Sequence, residues 1–404
     1  MSAPDLVESF DLNRLPDAFY DNPFPYYRAL RESAPIKHLP DGSYFLTRYA
    51  DVLAVYNHPQ VFSSDKKIEF KPKFGDSLLY EHHTTSLVFN DPPLHTRVRK
   101  LITAALSPRA IAEMEPALIV LVDRLLDQAQ EKRQVDLIEK FAAAIPIEII
   151  GNLLGVPRQD RAPLRAWSLA ILSALEPAIS SEVFERGNHA VCEFLDYLAI
   201  LFAARRRHPG DPQRDVLTAL IQGESDGDRL SETELLHNCI FILNAGHETT
   251  TNLIGNALVS LCEWPHERRR LIKEPALIKT AIEEFLRFES SNQLGNRITL
   301  QDTEIAGIAM QQGTRIHLCI GGANRDPAQF PEPGRLDLAR TPNRHLAFAW
   351  GIHACAGMSL ARLEGRVAIQ RFLRRFPNYD LSTQPQRGKR ARFRGFVAIE
   401  CRLS

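Results

Sequence analysis

The sequence predicts a mainly α-helical protein with a small β-rich part, folded as a single domain over residues 1–404. Apolar residues recur every three to four positions, the period of an amphipathic helix, through most of residues 95–375. Strand-like alternation is confined to residues 43–48, 297–310, 314–319 and 393–402. The sequence contains no internal repeat, low-complexity tract or flexible linker. These observations favour one large helical unit with a few short strands.

The predicted helices cover residues 25–32, 49–56, 110–130, 136–154, 182–207, 231–262 and 358–376. The helix at 231–262 is unusually long, and Ser231 with Glu234 forms a capping box at its start. A helix of about thirty residues is about 45 Å long and would cross the whole molecule. Residues 62–90 have weak periodicity and predict a long loop that covers an active site.

Composition limits the classes of partner. Lysine and arginine number 49 and aspartate and glutamate also number 49, which argues against nucleic acid as the main partner. The first thirty residues carry five acidic residues and no long apolar run, so they predict neither a secretory signal nor a membrane anchor. The six cysteines form no Cys-x-x-Cys pair, which excludes the spacing of zinc ribbons and covalently bound haem. We expect a soluble cytoplasmic protein without a membrane partner.

The most specific stretch is Phe348-Ala-Trp-Gly351-Ile-His353-Ala-Cys355-Ala-Gly357, which leads into the helix predicted from residue 358. A helix N-terminus just after a cysteine stabilises its thiolate, and the glycines allow the backbone to turn sharply beside a flat ligand. An axial thiolate donates electron density to haem iron and favours O–O cleavage. Taken alone, Cys355 would be interpreted as a buried packing thiol.

The complete stretch resembles the cysteine-ligand signature of the cytochrome P450 family, Phe-x-x-Gly-x-His-x-Cys-x-Gly. A match at all its fixed positions is expected by chance in fewer than about one chain in ten thousand. One departure is Ala349, where many bacterial members have a second glycine. The resemblance implies the cytochrome P450 fold, with non-covalent haem b between the long central helix and the helix after the cysteine loop. It also implies haem contacts by Phe348 and Gly357, with Cys355 as the iron ligand.

The long helix carries Ala245-Gly246-His247-Glu248-Thr249-Thr250, which resembles the oxygen-activation motif of the family. The resemblance implies that Gly246 leaves room for dioxygen over the haem. Thr249 would then donate a hydrogen bond, and Glu248 would relay protons through water. The alternative is a helical kink in which the threonines bond back to carbonyl groups.

The resemblance assigns the two haem propionates to His95, Arg99, Arg297 and His353. Arginine and histidine are suitable donors, and His95 and Arg99 share a helix face because they are four residues apart. For this first pair the alternative is an exposed basic helix start.

Glu284, Arg287 and Arg340 match a trio that supports the cysteine loop in the family. The alternative is a surface ion pair between Glu284 and Arg287, which would contribute little to stability.

The resemblance implies a monooxygenase that hydroxylates or demethylates a small organic substrate with O2 and two electrons. The sequence has no Gly-x-Gly-x-x-Gly motif and no cysteine cluster, so we expect a separate ferredoxin and an NAD(P)H-dependent ferredoxin reductase. Arg344, Arg362, Lys100 and Arg109 are candidates for steering the ferredoxin, with ordinary solvated charge as the alternative. A peroxide-driven relative and a non-catalytic haem sensor are the competing functions, and we expect a monomer.

The predicted substrate contacts are His83, Phe89, Phe241, Asn244, Gln293 and Leu294. Asn244 stands where an apolar side chain is common in the family, and Ser291 stands where bacterial members usually have proline. Lys66, Lys67, Lys71 and Lys73 make the covering segment basic. We expect a small polar substrate such as an aromatic acid or a phenol, unless these polar groups bond only to backbone or water.

Overall fold

The computed structural model describes residues 3–212, 215–225 and 228–404. In this part of the chain the helices are α1 Ala3–Glu8, α2 Asp17–Asp21, α3 Phe24–Ser33, α4 Tyr49–Asn57, α5 Lys67–Phe74, α6 Leu78–Thr85, α7 Leu94–Ala105, α8 Pro108–Lys132, α9 Ala144–Leu153, α10 Leu164–Ser173, α11 Ser181–Arg207, α12 Val216–Gln222, α13 Glu232–Glu263, α14 Pro265–Lys273, α15 Ile278–Phe288, α16 Ile320–Ala323 and α17 Met358–Arg375. The prediction of a mainly α-helical fold is therefore confirmed. Among the described residues no helix is both long and apolar enough to cross a membrane.

Helix α13 is the centre of the molecule. It begins after Ser231, whose side chain accepts the Glu234 backbone N–H while the Glu234 carboxylate accepts that of Ser231, so the predicted capping box is present. Most of its side chains are buried, because α9, α10, α11 and α17 all pack against it. Such burial from several sides explains why its apolar stripe is wide and its sequence mostly uncharged.

Helix α17 follows the cysteine loop and crosses α13. A Cβ atom added at Gly365 would lie 3.1 Å from Leu253 Cδ2 and 3.2 Å from Ile282 Cδ1. The glycine therefore allows α17 to approach α13 and α15 closely. This approach fixes the start of α17, and with it the end of the cysteine loop.

The strands form several small sheets, of which the largest has five strands in the order β1-β2-β10-β7-β3. The bounds are β1 Ile36–His38, β2 Tyr44–Leu46, β3 Phe62–Ser63, β4 Gln134–Asp136, β5 Glu224–Ser225, β6 Asp228–Arg229, β7 Leu294–Thr299, β8 Thr303–Ile305, β9 Ile308–Met310, β10 Arg315–Cys319, β11 Asp380–Leu381, β12 Gln386–Arg387, β13 Phe396–Ala398 and β14 Glu400–Arg402. Strand β7 runs antiparallel to β10, with Arg297 opposite Ile316. This register places Arg297 on an inner strand of the sheet, between β10 and β3.

The prediction of a long loop at residues 62–90 is wrong. The segment contains β3, α5, α6 and a 3-10 turn at Leu87–Phe89. The Ser77 side chain caps α6 by accepting the Tyr80 N–H, and Phe70, Phe74 and Leu79 are buried in the core around α10 and α11. Tertiary packing thus stabilises helices that are too short to give a clear periodic pattern.

Two predicted elements are divided. The helix expected at residues 136–154 splits into β4, a π-helical turn at Ile138–Ala142 and α9. The cause is Asp136, whose carboxylate accepts the backbone N–H groups of Ile138 and Ile399 at 2.9 Å and ties this point to the C-terminal strands. The strand expected at 297–310 breaks into β7, β8 and β9, with a turn at Ala306 and Gly307, which both have positive φ.

Candidate active site

A cavity lies between the middle of α13 and the cysteine loop. Ala245, Gly246 and Thr249 line one wall, and residues 353–357 with Phe348 line the opposite wall. Cys355 is among the lining residues and is only partly accessible. The structure therefore has a cavity at the place predicted for haem, between the central helix α13 and the helix after the cysteine loop, α17.

The cysteine loop is held by its own backbone. The Cys355 N–H donates to the Phe348 carbonyl at 2.8 Å, which closes the loop. Gly351 has φ +70°, and a Cβ atom there would lie 2.7 Å from the Tyr56 carbonyl oxygen, so only glycine fits. Burial raises the pKa of the Cys355 thiol, while a hydrogen bond from the Gly357 backbone and the charges of Arg99 and Arg362 oppose the shift.

Ala349 has a direct structural meaning. Its φ is +55°, in the left-handed region that glycine adopts without strain. The loop thus keeps the backbone conformation that a glycine would supply, at a cost of about 1–2 kcal/mol for an alanine.

Basic side chains gather at one edge of the cavity. The rings of His95 and His353 lie with their centroids 4.1 Å apart, and both nitrogens of His95 and Nε2 of His353 are buried without a hydrogen-bond partner among the described residues. Burial together with the charges of Arg99 and Arg297 lowers the pKa of His95 to about 4 and that of His353 to about 2. Within the residues that the structure describes, the Arg297 guanidinium donates only to the Asn296 carbonyl, at 2.7 Å. Buried nitrogen atoms without a hydrogen-bond partner can bind an anion that has several oxygens. The side chains of His95, His353 and Arg297 therefore fit the two propionates of haem b.

Glu248 lies outside the cavity lining. Its carboxylate forms an ion pair with Arg390, a residue that the sequence did not single out. Burial raises the pKa of Glu248, and Arg390 opposes the shift. In this conformation the Glu248 carboxylate is thus held by Arg390 and does not line the cavity.

Thr249 does line the cavity, and its hydroxyl donates to the Ala245 carbonyl at 2.7 Å. This is the back-bonded arrangement that the alternative interpretation describes. On the other side of the turn, the Ser291 hydroxyl donates to the Thr249 carbonyl at 2.8 Å. The serine that replaces the usual proline therefore fixes the backbone of the oxygen-activation motif.

Gly246 is required by packing as well as by space in the cavity. A Cβ atom added there would lie 2.6 Å from Ile150 Cδ1 on α9. The glycine lets α9 approach α13, in addition to lining the cavity as predicted.

Five of the six predicted substrate contacts line the cavity: His83, Phe89, Phe241, Asn244 and Leu294. Asn244 is 2% exposed, and neither polar atom of its amide has a hydrogen-bond partner in the described part of the chain. Burial lowers the pKa of His83 to about 3, so its ring is neutral. Both side chains are thus neutral polar groups that a bound molecule can satisfy.

The sixth predicted substrate contact, Gln293, is not brought to the cavity. Gln293 is not in the cavity wall, and its Nε2 donates to the Ser290 carbonyl at 2.7 Å. Its amide oxygen packs against Gly321, where a Cβ atom would collide with it. The side chain therefore fills the space between the start of β7 and α16.

The covering segment is not the basic surface that its lysines predict. Each lysine has a partner close by: Lys66 with Glu69, Lys67 with Asp65, Lys71 with Asp76, and Lys73 with the carbonyl of Glu176. Lys66 is only 1% exposed and lines the cavity. The charge of this segment is largely neutralised within the segment itself.

Among the cavity residues that the sequence did not single out are Arg392, Phe393 and Glu364. The first two come from the segment between β12 and β13, for which no motif exists. Glu364 is 2% exposed on α17, its Oε2 has no partner, and burial raises its pKa to about 8. The sequence signal that could have indicated Glu364 is a single acidic residue on the apolar face of α17.

Glu284, Arg287 and Arg340 form the predicted trio. Arg287 donates to both carboxylate oxygens of Glu284 at 2.7 and 2.8 Å, and both side chains have 0% exposure. Arg340 donates to the same carboxylate at 3.2 Å, and Arg287 also donates to the carbonyls of Asn324 and Pro333. The surface-pair alternative is excluded, because the trio ties α15 to the irregular chain before the cysteine loop.

The candidates for steering a ferredoxin differ in their environment. Arg362 makes two hydrogen bonds to Glu283, at 2.7 and 2.8 Å, and lies over the Phe348 ring, so it supports the cysteine loop. Arg109 is exposed and pairs with Glu113. Arg344 and Lys100 are exposed.

A cysteine loop that faces an acid–threonine helix across a cavity, with propionate-type donors at its edge, is the arrangement of haem-thiolate proteins. The sequence matches the family model of Cytochrome P450 over residues 37–400. It is 35% identical over 367 residues to the biotin biosynthesis cytochrome P450 of Bacillus subtilis, covering 90% of this chain and 91% of that one. It is 39% identical over 368 residues to the vitamin D(3) 25-hydroxylase of Pseudonocardia autotrophica, covering 90% and 89%.

Solved structures agree with this assignment. The fold matches the structure of P450BioI in complex with hexadec-9Z-enoic acid ligated acyl carrier protein, with a TM-score of 0.90, 33% identity and 96% and 100% of the two chains covered. It also matches CYP109E1 from Bacillus megaterium in complex with testosterone, with a TM-score of 0.83, 29% identity and coverage of 95% and 99%. The chain belongs to the cytochrome P450 family. It is a monooxygenase that binds haem b through an axial cysteine thiolate and uses an organic substrate, O2 and redox partners.

Proposed function

We propose that Cys355 is the axial thiolate and that His95, Arg99, Arg297 and His353 hold the haem propionates. The observation that carries this proposal is the cavity, which has Cys355 in one wall and orphaned histidine nitrogens at its edge. The bound haem supplies the activation of O2. The protein orients it through the loop that ends at Gly357.

The spectrum of the reduced holoenzyme with carbon monoxide tests the thiolate. Wild-type protein should give the strongly red-shifted Soret band of a thiolate ligand, and Cys355→Ser should lose it. Cys192→Ser is the matched control, because Cys192 is another free cysteine and lies outside the cavity lining. Loss of the band in the control variant alone would contradict the proposal.

Thr249 places its hydroxyl group at the cavity face and donates the proton there when its bond to the Ala245 carbonyl opens, and Glu248 supplies protons through water when its contact with Arg390 opens. Two observations support these roles. Thr249 lies in the cavity wall, and the carboxylate of the neighbouring residue Glu248 forms an ion pair with Arg390. Thr249→Ala should lower the product formed per NAD(P)H and release peroxide. Thr251→Ala is the control, since Thr251 also donates to a carbonyl four residues earlier but does not line the cavity. Equal coupling in the two variants would refute the role of Thr249.

A ferredoxin and an NAD(P)H-dependent ferredoxin reductase are the proposed electron donors. Arg344 and Lys100 are the exposed cations that support such a docking site. Product formation with the reconstituted chain, NAD(P)H and O2 would eliminate a haem sensor. Turnover that needs only peroxide and no reductase would favour the peroxide-driven alternative. A monomer of one domain in the cytoplasm stays a prediction.

The proposed reaction is hydroxylation or demethylation of a small substrate with a polar group, such as an aromatic acid or a phenol. The unpartnered amide of Asn244 and the apolar side chains of Phe89, Phe241 and Leu294 support an amphipathic ligand. The names of the relatives span biotin biosynthesis and vitamin D3, so they do not narrow the class. A spin-state screen of aromatic acids, phenols, alkanes and terpenes tests it, and a shift with the hydrocarbons alone would refute it.

A further inference from the structure

Arg392 brings a positive charge into the wall of the substrate cavity. Its Nε donates to the Leu175 carbonyl and its Nη1 to the Leu294 carbonyl, both at 3.1 Å. Among the described residues it forms no ion pair. Burial lowers the pKa of Arg392, and Glu176 and Glu69 oppose the shift from beyond hydrogen-bond distance.

This lack of a carboxylate partner is unusual in the molecule. Other enclosed guanidinium groups are each paired with an acid: Arg161 with Glu148, Arg287 with Glu284, and Arg325 and Arg394 with Glu289. Arg297 and Arg392 both line the cavity, and within the described part of the chain they donate only to carbonyls. Because an enclosed charge without a counter-ion is costly, such a group is a good site for an anion. Arg297 has the propionates as its proposed anion, and Arg392 needs another.

The acids near Arg392 are already engaged. Glu69 accepts from Lys66 at 2.7 Å. Glu176 accepts the backbone N–H groups of Ala391 and Arg392 at 2.8 and 3.0 Å, and it also contacts the Arg390 side chain. Neither acid is therefore free to turn toward the Arg392 guanidinium.

The rest of the cavity is suited to an apolar body. Phe393 adjoins Arg392, and Leu175, Leu294 and Phe241 contribute to the wall. A ligand with its anionic group at Arg392 would place an apolar ring or chain along these side chains, in the same cavity that Cys355 and Thr249 line.

We propose that Arg392 binds the carboxylate of the substrate, so that the substrate class is an organic acid with an apolar ring or chain. This inference rests on the proposed function and makes it more specific, because it favours acids over phenols. Oxidation is then directed to carbon atoms remote from the carboxylate. A guanidinium donates two parallel N–H bonds to the oxygens of a carboxylate, which also fixes the orientation of the acid.

The test uses the wild-type holoenzyme and two matched sets of probes. One set is 4-tert-butylbenzoate with its primary amide, and the other is decanoate with decanamide. Dissociation constants are measured by the Soret spin-state titration and independently by equilibrium dialysis. In at least one of the two sets, we expect the acid to bind at least about tenfold more tightly than its amide. Discrimination in both sets indicates recognition of any carboxylate, and discrimination in one set assigns an aromatic or an aliphatic source.

Variants locate the site. Arg392→Gln should weaken binding of the acid about ten- to hundredfold and change binding of the amide by no more than about twofold, because it removes a charge-assisted interaction. Arg392→Lys should retain part of the preference. Lys389→Gln removes a charge from the same segment, but Lys389 is 71% exposed and pairs with Asp17, so both constants should stay unchanged.

The opposite results are distinct. Equal binding of acid and amide by wild-type protein would overturn the proposal without any variant. Equal weakening of both probes by Arg392→Gln would overturn it too, and would identify Arg392 as a clamp for the Leu175 and Leu294 carbonyls. If the carbon monoxide band and the Thr249→Ala uncoupling persist in either case, only the acid substrate class fails and the monooxygenase proposal stands.

Discussion

Two Glu-x-x-Arg pairs of identical spacing offer a direct measurement of what burial does to an ion pair. Glu284 and Arg287 have 0% exposed side chains, whereas Glu332 and Arg335 are 71% and 52% exposed. In both pairs the arginine donates to the glutamate, at 2.7 Å in the buried pair and 3.1 Å in the exposed one. The perturbations are therefore Glu284→Gln and Glu332→Gln, which each remove one charge and keep the shape.

The two substitutions should lower the free energy of unfolding by different amounts, because the Glu284–Arg287 pair is buried and the Glu332–Arg335 pair is exposed to water. Glu284→Gln leaves the Arg287 charge enclosed with carbonyl partners only, and removing one partner of a buried pair costs about 3–5 kcal/mol. Arg340 and Asn343, which also donate to Glu284, lose a charged acceptor in the same step. Glu332→Gln removes a solvated pair and should cost at most about 1 kcal/mol.

Denaturant unfolding of the holoenzyme, followed by the Soret band and by far-ultraviolet circular dichroism, measures the difference. We expect the midpoint of Glu284→Gln to fall strongly and that of Glu332→Gln to stay near wild type. Because Glu284 supports the chain before the cysteine loop, the Soret transition of Glu284→Gln should precede the loss of helix. Equal midpoints for the two variants would refute the argument that burial decides the contribution of the pair.

Three further results are expected. Arg390→Gln removes the charge that opposes the raised pKa of Glu248, so the pH profile of coupling should move to higher pH, while Arg390→Lys should resemble wild type. Gly246→Ala should destabilise the protein by about 1–3 kcal/mol through contact with Ile150 Cδ1, and Ile150→Val should restore stability, whereas free space beside Gly246 would make the alanine stabilising. Burial raises the pKa of Glu364 from 4.5 to about 8, so its stability contribution is complete below about pH 4.5 and is lost as pH rises toward 8. Urea unfolding should therefore show a decline of about 1.4 kcal/mol per pH unit in this range relative to Glu364→Gln, and parallel pH curves would contradict it.

Sequence reasoning succeeded where the signal is local. The capping box of α13, the cysteine loop and the Glu284–Arg287 spacing are each contained in a few consecutive residues, and each is present in the structure. The divided elements had a different cause. The break near Asp136 depends on a hydrogen bond to Ile399, which lies 263 residues away in the chain, so no local pattern reveals it.

In the candidate site, too, the residues that follow from a local pattern were predicted and those that depend on long-range contacts were not. Phe241 and Asn244 line the cavity as expected because they lie on α13 beside Ala245 and Thr249, and Phe241, Ala245 and Thr249 follow one another at four-residue spacing on one helix face. Gln293 was misplaced because it follows α15 in irregular chain, where the direction of a side chain depends on neighbours such as Gly321. Arg392 was missed because it reaches the cavity only through long-range contacts with Leu175 and Leu294.

The segment before β13 contacts both the oxygen-activation motif and the substrate cavity. Arg390 holds the Glu248 carboxylate of the oxygen-activation turn, while Arg392, two residues later, faces the substrate cavity. Both are anchored by Glu176, which accepts from the Arg390 side chain and from the Arg392 backbone rather than from its guanidinium. Because Glu176 fixes the backbone of Arg392 and leaves its charge unpaired, the same anchor that restrains the proton donor also presents a guanidinium to the ligand. The Glu176 carboxylate is held by the backbone N–H groups of Ala391 and Arg392 and by the Arg390 side chain, so it does not pair with the Arg392 guanidinium, which stays available to the carboxylate of a ligand.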